Sequence, residues 1–219
     1  MSESIFDVAN CQAEEVSPIW VYIEPEAETN LEGSEADACA ISLSDVYINP
    51  NEDQECIIDG CGTEQNPFKT ITWALQMVMP SENNPVTLHL SMGIYNHNDS
   101  GETFPISMIS NVNLNGVGET LAVIDAQQTS RVIVFNESIN NTISNLSITG
   151  GKIEYSDADD SGAGIYIRNS NPYLNSLTIY NNEVVDELNT GGFYSGGGGG
   201  IYIRGDADNL SESVDNILN

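Results

Sequence analysis

The spacing of apolar residues changes once along the chain, from a helical period to an alternating one. In NPFKTITWALQMVMP (66–80), Phe68, Ile71, Leu75 and Val78 fall at i, i+3, i+7 and i+10, the apolar stripe of an amphipathic helix. Asn66 suits its N-cap, Pro67 its first helical position, and Pro80 ends it. Beyond it the period becomes 2. TLHLSMGIY (87–95), NVNLNG (111–116) and LAVID (121–125) read as short strands separated by Gly, Asn and Ser turns.

The last ninety or so residues repeat themselves. VIVFNES (132–138) aligns with GIYIRNS (164–170) and GIYIRGD (200–206), at offsets of 32 and 36. NLSITGG (145–151) aligns with SLTIYNN (176–182), at an offset of 31. One such unit is too small to bury a face, but stacked units build a continuous core. Alternation places Ile133, Ile165 and Ile201 in one inward ladder and Phe135, Ile167 and Ile203 in the next. Leu146 with Leu177, and Ile148 with Ile179, form the ladders of a second strand. Val134, Tyr166 and Tyr202 then point outward, as do Asn136, Arg168 and Arg204. Two acidic insertions, KIEYSDADDS (152–161) and EVVDELNTGGFYS (183–195), account for the unequal offsets and read as loops on one flank.

Asn66-Pro67-Phe68-Lys69-Thr70-Ile71, then Gly93-Ile94-Tyr95, Phe104-Pro105-Ile106 and GAGIYIRNSNPYLNSLTIYNN together resemble right-handed parallel β-helix proteins of the pectin-lyase-like type. The N-terminal part is similar to a domain of unknown function that opens many secreted β-helix repeat proteins. The resemblance spans about residues 46–219 and implies an all-β, single-stranded parallel β-helix solenoid. It also implies that helix 66–80 caps the N-terminal end, where open strand edges invite aggregation. Residues 1–45 form an acidic appendage or linker with one apolar run at 19–23. The third repeat fades after Gly200 without a second strand, so the expectation is a chain cut from a longer polypeptide.

Charge narrows the partners. There are 33 Asp and Glu against 5 Lys and Arg, a net charge of −28. Such a surface repels nucleic acid and anionic membranes and favours cations. No stretch approaches the ~18 apolar residues of a membrane span, and no basic start followed by an apolar run marks a signal peptide. Cys11, Cys39, Cys56 and Cys61 all lie early in the chain, without zinc-type spacing. Two disulfides of an exported protein is the preferred reading, with Cys11–Cys39 and Cys56–Cys61 the local pairing; four reduced buried thiols is the alternative.

No catalytic set emerges. Uronate lyases of this fold need a Lys or Arg base; Arg131, Arg168 and Arg204 fall on strands and Arg168 and Arg204 could serve, but the pectate lyase sequence patterns are absent. Inverting hydrolases need carboxylates about 6.5–9.5 Å apart. Asp159-Asp160 is adjacent, and the matching signatures are missing. His89 reads as an exposed strand residue and His97 as part of a polar turn. In DADDSG (157–162), Asp157, Asp159, Ser161 and Gly162 match the first half of an EF-hand loop, but Arg168 stands where the bidentate Glu belongs. A looser Ca2+ cage from Asp157, Asp159 and Asp160 is the remaining metal candidate. The glycine run 196–200 is followed by a strand pattern, which excludes a phosphate loop.

The outward strip of Tyr166, Arg168, Tyr202 and Arg204 is the binding candidate, suited to an acidic sugar. Stacked arginines repel unless an anion, the protein's own or a ligand's, lies between them. The expected function is an extracellular or cell-surface module, structural or binding a polysaccharide, without catalysis. A polysaccharide lyase or hydrolase, and a calcium-dependent adhesion module, are the alternatives.

Overall fold

A computed structural model describes residues 43–56, 60–154, 161–185 and 198–205. Cys11, Cys39, the apolar run 19–23 and the acids Asp157, Asp159 and Asp160 lie outside the described residues. In chain order the elements are β1 (Asp45–Ile48), α1 (Ile71–Met77), β2 (Val86–Leu90), β3 (Gly93–Tyr95) and β4 (Ile106–Met108). There follow β5 (Val112–Gly116), β6 (Ala122–Asp125), β7 (Ile133–Asn136), β8 (Thr142–Thr149) and β9 (Lys152–Glu154). Last come β10 (Ile165–Arg168), β11 (Tyr173–Tyr180), β12 (Glu183–Val185) and β13 (Ile201–Arg204).

Every pairing between these strands is parallel, and partners come from successive turns of the chain. One stack runs β4-β7-β10-β13. A second begins β1-β2-β5 and continues through the first half of β8 and of β11. A third runs β3-β6 and continues through the second halves of the same two strands. The two long strands serve two stacks because each bends at a left-handed residue, Asn145 at φ 58° and Ser176 at φ 50°. Other corners repeat the same device at aligned positions, Asn111 over Asn140 and Glu137 over Asn169. Asparagine tolerates this backbone better than most residues, which explains its abundance in the turns. The architecture is therefore a parallel β-helix, with the inward side chains of all three stacks forming one core.

The inward ladders pair as their alternation requires. Ile133, Ile165 and Ile201 are in register, as are Phe135, Ile167 and Ile203. Leu146 pairs with Leu177 and Ile148 with Ile179. Burial weakens toward the last described turn: Ile165 and Ile167 are inaccessible, whereas Ile203 is 36% exposed.

Four expectations need correction. TLHLSMGIY is two strands rather than one: Ser91 and Met92 interrupt it, β2 pairs with β5, and β3, opening at Gly93 with φ 152°, pairs with β6. The helix starts at Ile71 with Thr70 as its N-cap, its hydroxyl accepting from Trp73 N at 3.3 Å. Asn66 and Phe68 are instead held extended: Gly62 N donates to Asn66 O, Phe68 N to Tyr47 O and Asn49 N to Phe68 O. Strand pairing thus outcompetes the proline-first helix signal. The segments read as insertions also begin as strands, since β9 and β12 pair in register through Lys152 and Glu183. Finally, Tyr166, although on the outward side of its strand, is only 8% exposed.

Of the two local cysteine pairings, Cys56–Cys61 is present as a disulfide. The loop it closes leads into Gly62, whose N–H donates to Asn66 O and whose carbonyl accepts from Tyr47 N.

Candidate functional site

The outward side of the β7-β10-β13 stack carries the predicted strip. Register places Val134, Tyr166 and Tyr202 in one row and Asn136, Arg168 and Arg204 in the next. Both rows arise because outward side chains recur at every second residue of a strand and parallel strands lie about 4.8 Å apart. The rings of Tyr166 and Tyr202 stack, centroids 5.9 Å apart and planes inclined by 25°. Arg131, two residues before β7, lays its guanidinium over the Tyr166 ring, 4.9 Å from its centroid. Its Nε donates to Ser161 O at 3.0 Å, which fixes the guanidinium in place.

Tyr166 therefore contacts both a cation and an aromatic ring. A cation over a ring face contributes about 0.5–2 kcal/mol, rising as water is excluded. The two contacts together explain why an outward tyrosine is buried. The sequence carries Arg131 as a strand arginine, but not its position on Tyr166, which depends on a residue from the preceding turn of the chain.

Arg168 has a buried Nε without a hydrogen-bond partner among the described residues. A buried guanidinium N–H left unpaired is costly. All three arginines of the chain, out of 5 basic residues in total, belong to this one stack or its lead-in. Three of the five basic residues of a chain of net charge −28 thus gather at one place.

The metal candidates Asp157, Asp159 and Asp160 lie outside the described residues; Ser161 and Gly162 of the same loop are described and buried. Among the described residues no group of three or more His, Cys, Asp or Glu is arranged to hold a metal. His89 is a strand residue whose Nε2 meets Asp45 Oδ1 at 2.8 Å and whose ring stacks on Tyr47 at 5.1 Å. His97 lies in its turn, with Nδ1 3.3 Å from Glu102 O.

Glu102 is a buried carboxylate that no local pattern in the sequence announces. It is fully inaccessible and sits at the start of α1. Oε2 accepts from Ile71 N at 2.7 Å, and Oε1 accepts from Thr72 N at 3.0 Å, Thr72 Oγ1 at 2.5 Å and Thr103 N at 3.1 Å. Burial pushes its pKa up, and these hydrogen bonds oppose the rise. Burial, and secondarily the Glu102 charge, pushes the Tyr95 phenol up as well. Tyr95 is fully buried, its hydroxyl donating to a backbone carbonyl in reach, Ile48 O or Ser91 O, each at 3.0 Å. With both carboxylate oxygens engaged, Glu102 is a structural cap of the helix rather than a base waiting for substrate.

Parallel strands stacked turn upon turn, with outward ladders in register, define a parallel β-helix protein. The chain belongs to the family described as "Protein of unknown function (DUF1565)", which it matches over residues 59–215. Among solved structures it is similar to a pectin methylesterase mutant in complex with a hexasaccharide, at 16% identity and a TM-score of 0.44, over 74% of this chain and 50% of that one. It is also similar to the pectin methylesterase PemA from Erwinia chrysanthemi, at 17% identity and a TM-score of 0.44, over 74% of this chain and 46% of that one. The chain thus spans about half the length of these structures. No curated protein matches it.

Proposed function

We propose that this chain is a non-catalytic, extracellular or cell-surface binding module. It takes an acidic polysaccharide on the strip of Tyr166, Arg168, Tyr202 and Arg204. The observation that carries this reading is the gathering of all three arginines beside a stacked tyrosine pair in an otherwise strongly acidic chain. A sugar carboxylate would pair with the outer end of the half-exposed Arg168 guanidinium. The half-exposed ring of Tyr202 would meet the apolar face of the sugar. The Cys56–Cys61 disulfide fits an oxidising compartment.

The same reading treats residues 46–219 as one right-handed, single-stranded solenoid and 1–45 as an appendage. In it α1 covers the N-terminal end: Ile71, Ala74 and Leu75 are buried in the common core.

The test is affinity electrophoresis through gels containing polygalacturonate. Retardation of the native chain, reduced at least fivefold in Arg168→Ala with an unchanged melting temperature, is the expected result. Equal mobility of the two chains would overturn the proposed site. Release of unsaturated, ultraviolet-absorbing products during the run would overturn the non-catalytic reading.

A further inference from the structure

A second outward surface, on the stack that begins with β1, differs from the rest of the molecule in charge. One row across it consists of Tyr47, His89, Asn115, Ser144 and Asn175, each in register with the next. The row beside it runs from Asp45 through Thr87 to Asn113, and Thr142 to Tyr173 on the later turns. These side chains are all exposed or half-exposed. In a chain with 33 acidic residues, the two rows contain a single carboxylate, that of Asp45. Even this one is matched, by the His89 Nε2 at 2.8 Å.

The amides on this face are held before any ligand arrives. Asn115 Oδ1 accepts from Ser144 Oγ at 3.0 Å and from Asn145 Nδ2 at 2.9 Å. Asn113 Oδ1 accepts from Thr142 N at 2.9 Å. Once each oxygen is fixed, the planar amide fixes its Nδ2, which leaves two N–H donors per side chain with no acceptor among the described residues. Aromatic rings flank these donors. Tyr47 and His89 stack at 5.1 Å on the earlier turns, and Tyr173 is 44% exposed on the later one.

We infer that this face binds an uncharged linear polysaccharide lying along the coil axis. Three features select that chemistry. The two rows are nearly free of charge, so they neither repel a neutral chain nor offer a partner to an ionic one. Its fixed amide and hydroxyl groups match the hydroxyls of a sugar, and its rings match the apolar faces of pyranoses. Its groups recur at the strand spacing of about 4.8 Å, close to the length of one sugar in an extended chain. The site is distinct from the arginine strip, which belongs to a different stack and a different ligand charge.

The experiment is affinity electrophoresis of the chain in gels containing hydroxyethylcellulose, xylan or mannan. The variants are Tyr173→Ala, Asn175→Ala and Arg168→Ala. Asn175 and Tyr173 are exposed, so their removal leaves the fold intact, which circular dichroism checks. The expected result is retardation by at least one neutral polysaccharide, weakened about fivefold or more by Tyr173→Ala and by Asn175→Ala and unchanged by Arg168→Ala. Retardation by none of the three polysaccharides overturns the inference. So does retardation that both face variants retain, or that Arg168→Ala abolishes. Failure of binding to polygalacturonate bears on the arginine strip alone and leaves this inference standing.

Discussion

Tyr166 and Tyr202 occupy the same position one turn apart and stack at 5.9 Å, yet only Tyr202 reaches solvent appreciably. Tyr166 is covered by contacts with both Arg131 and Tyr202. The two rings therefore divide between them the work of holding the fold and of meeting a ligand.

Truncating them should separate these roles. Tyr166→Ala removes a buried aromatic ring and the Arg131 contact with it, a loss of about 3 kcal/mol. Tyr202→Ala removes a half-exposed ring at the last described turn and should cost about 1 kcal/mol. Urea denaturation measures both, and equal losses would show that the contacts on Tyr166 contribute nothing.

The repeat was legible in the sequence because its inward residues alternate strictly, and a one-residue slip would have turned Ile133, Ile165 and Ile201 outward. What was not legible depended on partners far along the chain. Phe68 follows a proline that favours a helix start, yet its backbone pairs with Tyr47 and Asn49. Glu102 lies in an unremarkable polar turn, yet it caps a helix some thirty residues earlier in the chain. Tyr166 alternates outward as expected, and its burial depends on Arg131 as well as on the ring of Tyr202. Local patterns thus specified the ladders, and non-local polar contacts specified the ends and the site.

The glycines that open β10 and β13 are not equivalent. A methyl group on Gly164 would collide with the backbone carbonyl of Gly200, in the strand lead-in stacked on it. A methyl on Gly200 would meet only Ile179 Cγ2 at 3.7 Å, an ordinary contact. Gly164→Ala should therefore destabilise by about 2 kcal/mol through overpacking. Gly200→Ala should change stability by no more than about 0.5 kcal/mol, since lost unfolded-state entropy offsets any adjustment. Thermal melts of the two variants give the comparison, and a similar loss in both would contradict this account.

Two carboxylates hold the start of α1. Glu55 accepts from Lys69 N, Thr70 N and Thr70 Oγ1 at 2.7–3.1 Å, in a half-exposed setting. Glu102 accepts from Ile71 N and Thr72 N where water is excluded. Loss of an acceptor costs more where water cannot replace it. Glu102→Ala should therefore lower stability by about 3 kcal/mol and Glu55→Ala by about 1 kcal/mol, read from urea midpoints. A larger loss in Glu55→Ala would reverse the assignment of the main cap.

The Asp45–His89 contact supplies a test in which pH, rather than truncation, removes the interaction. The hydrogen bonds from His89 and Ser44 hold the Asp45 carboxyl below its ordinary value of 3.8. A carboxylate whose pKa falls on folding contributes stability that is fully present above the unfolded value and is lost as pH drops through the folded one. The Asp45 side chain is 58% exposed, so solvent screening keeps the contribution below about 1 kcal/mol. Titration of the other acids changes total stability over the same range and masks the effect in the native protein alone. The difference between the native chain and Asp45→Asn cancels that background. It should favour the native chain by about 0.5 kcal/mol at pH 6 and shrink toward zero as the pH falls below 3.8. A difference that stays constant across this window, or grows in acid, would show that the His89 contact does not stabilise the ionised form of Asp45.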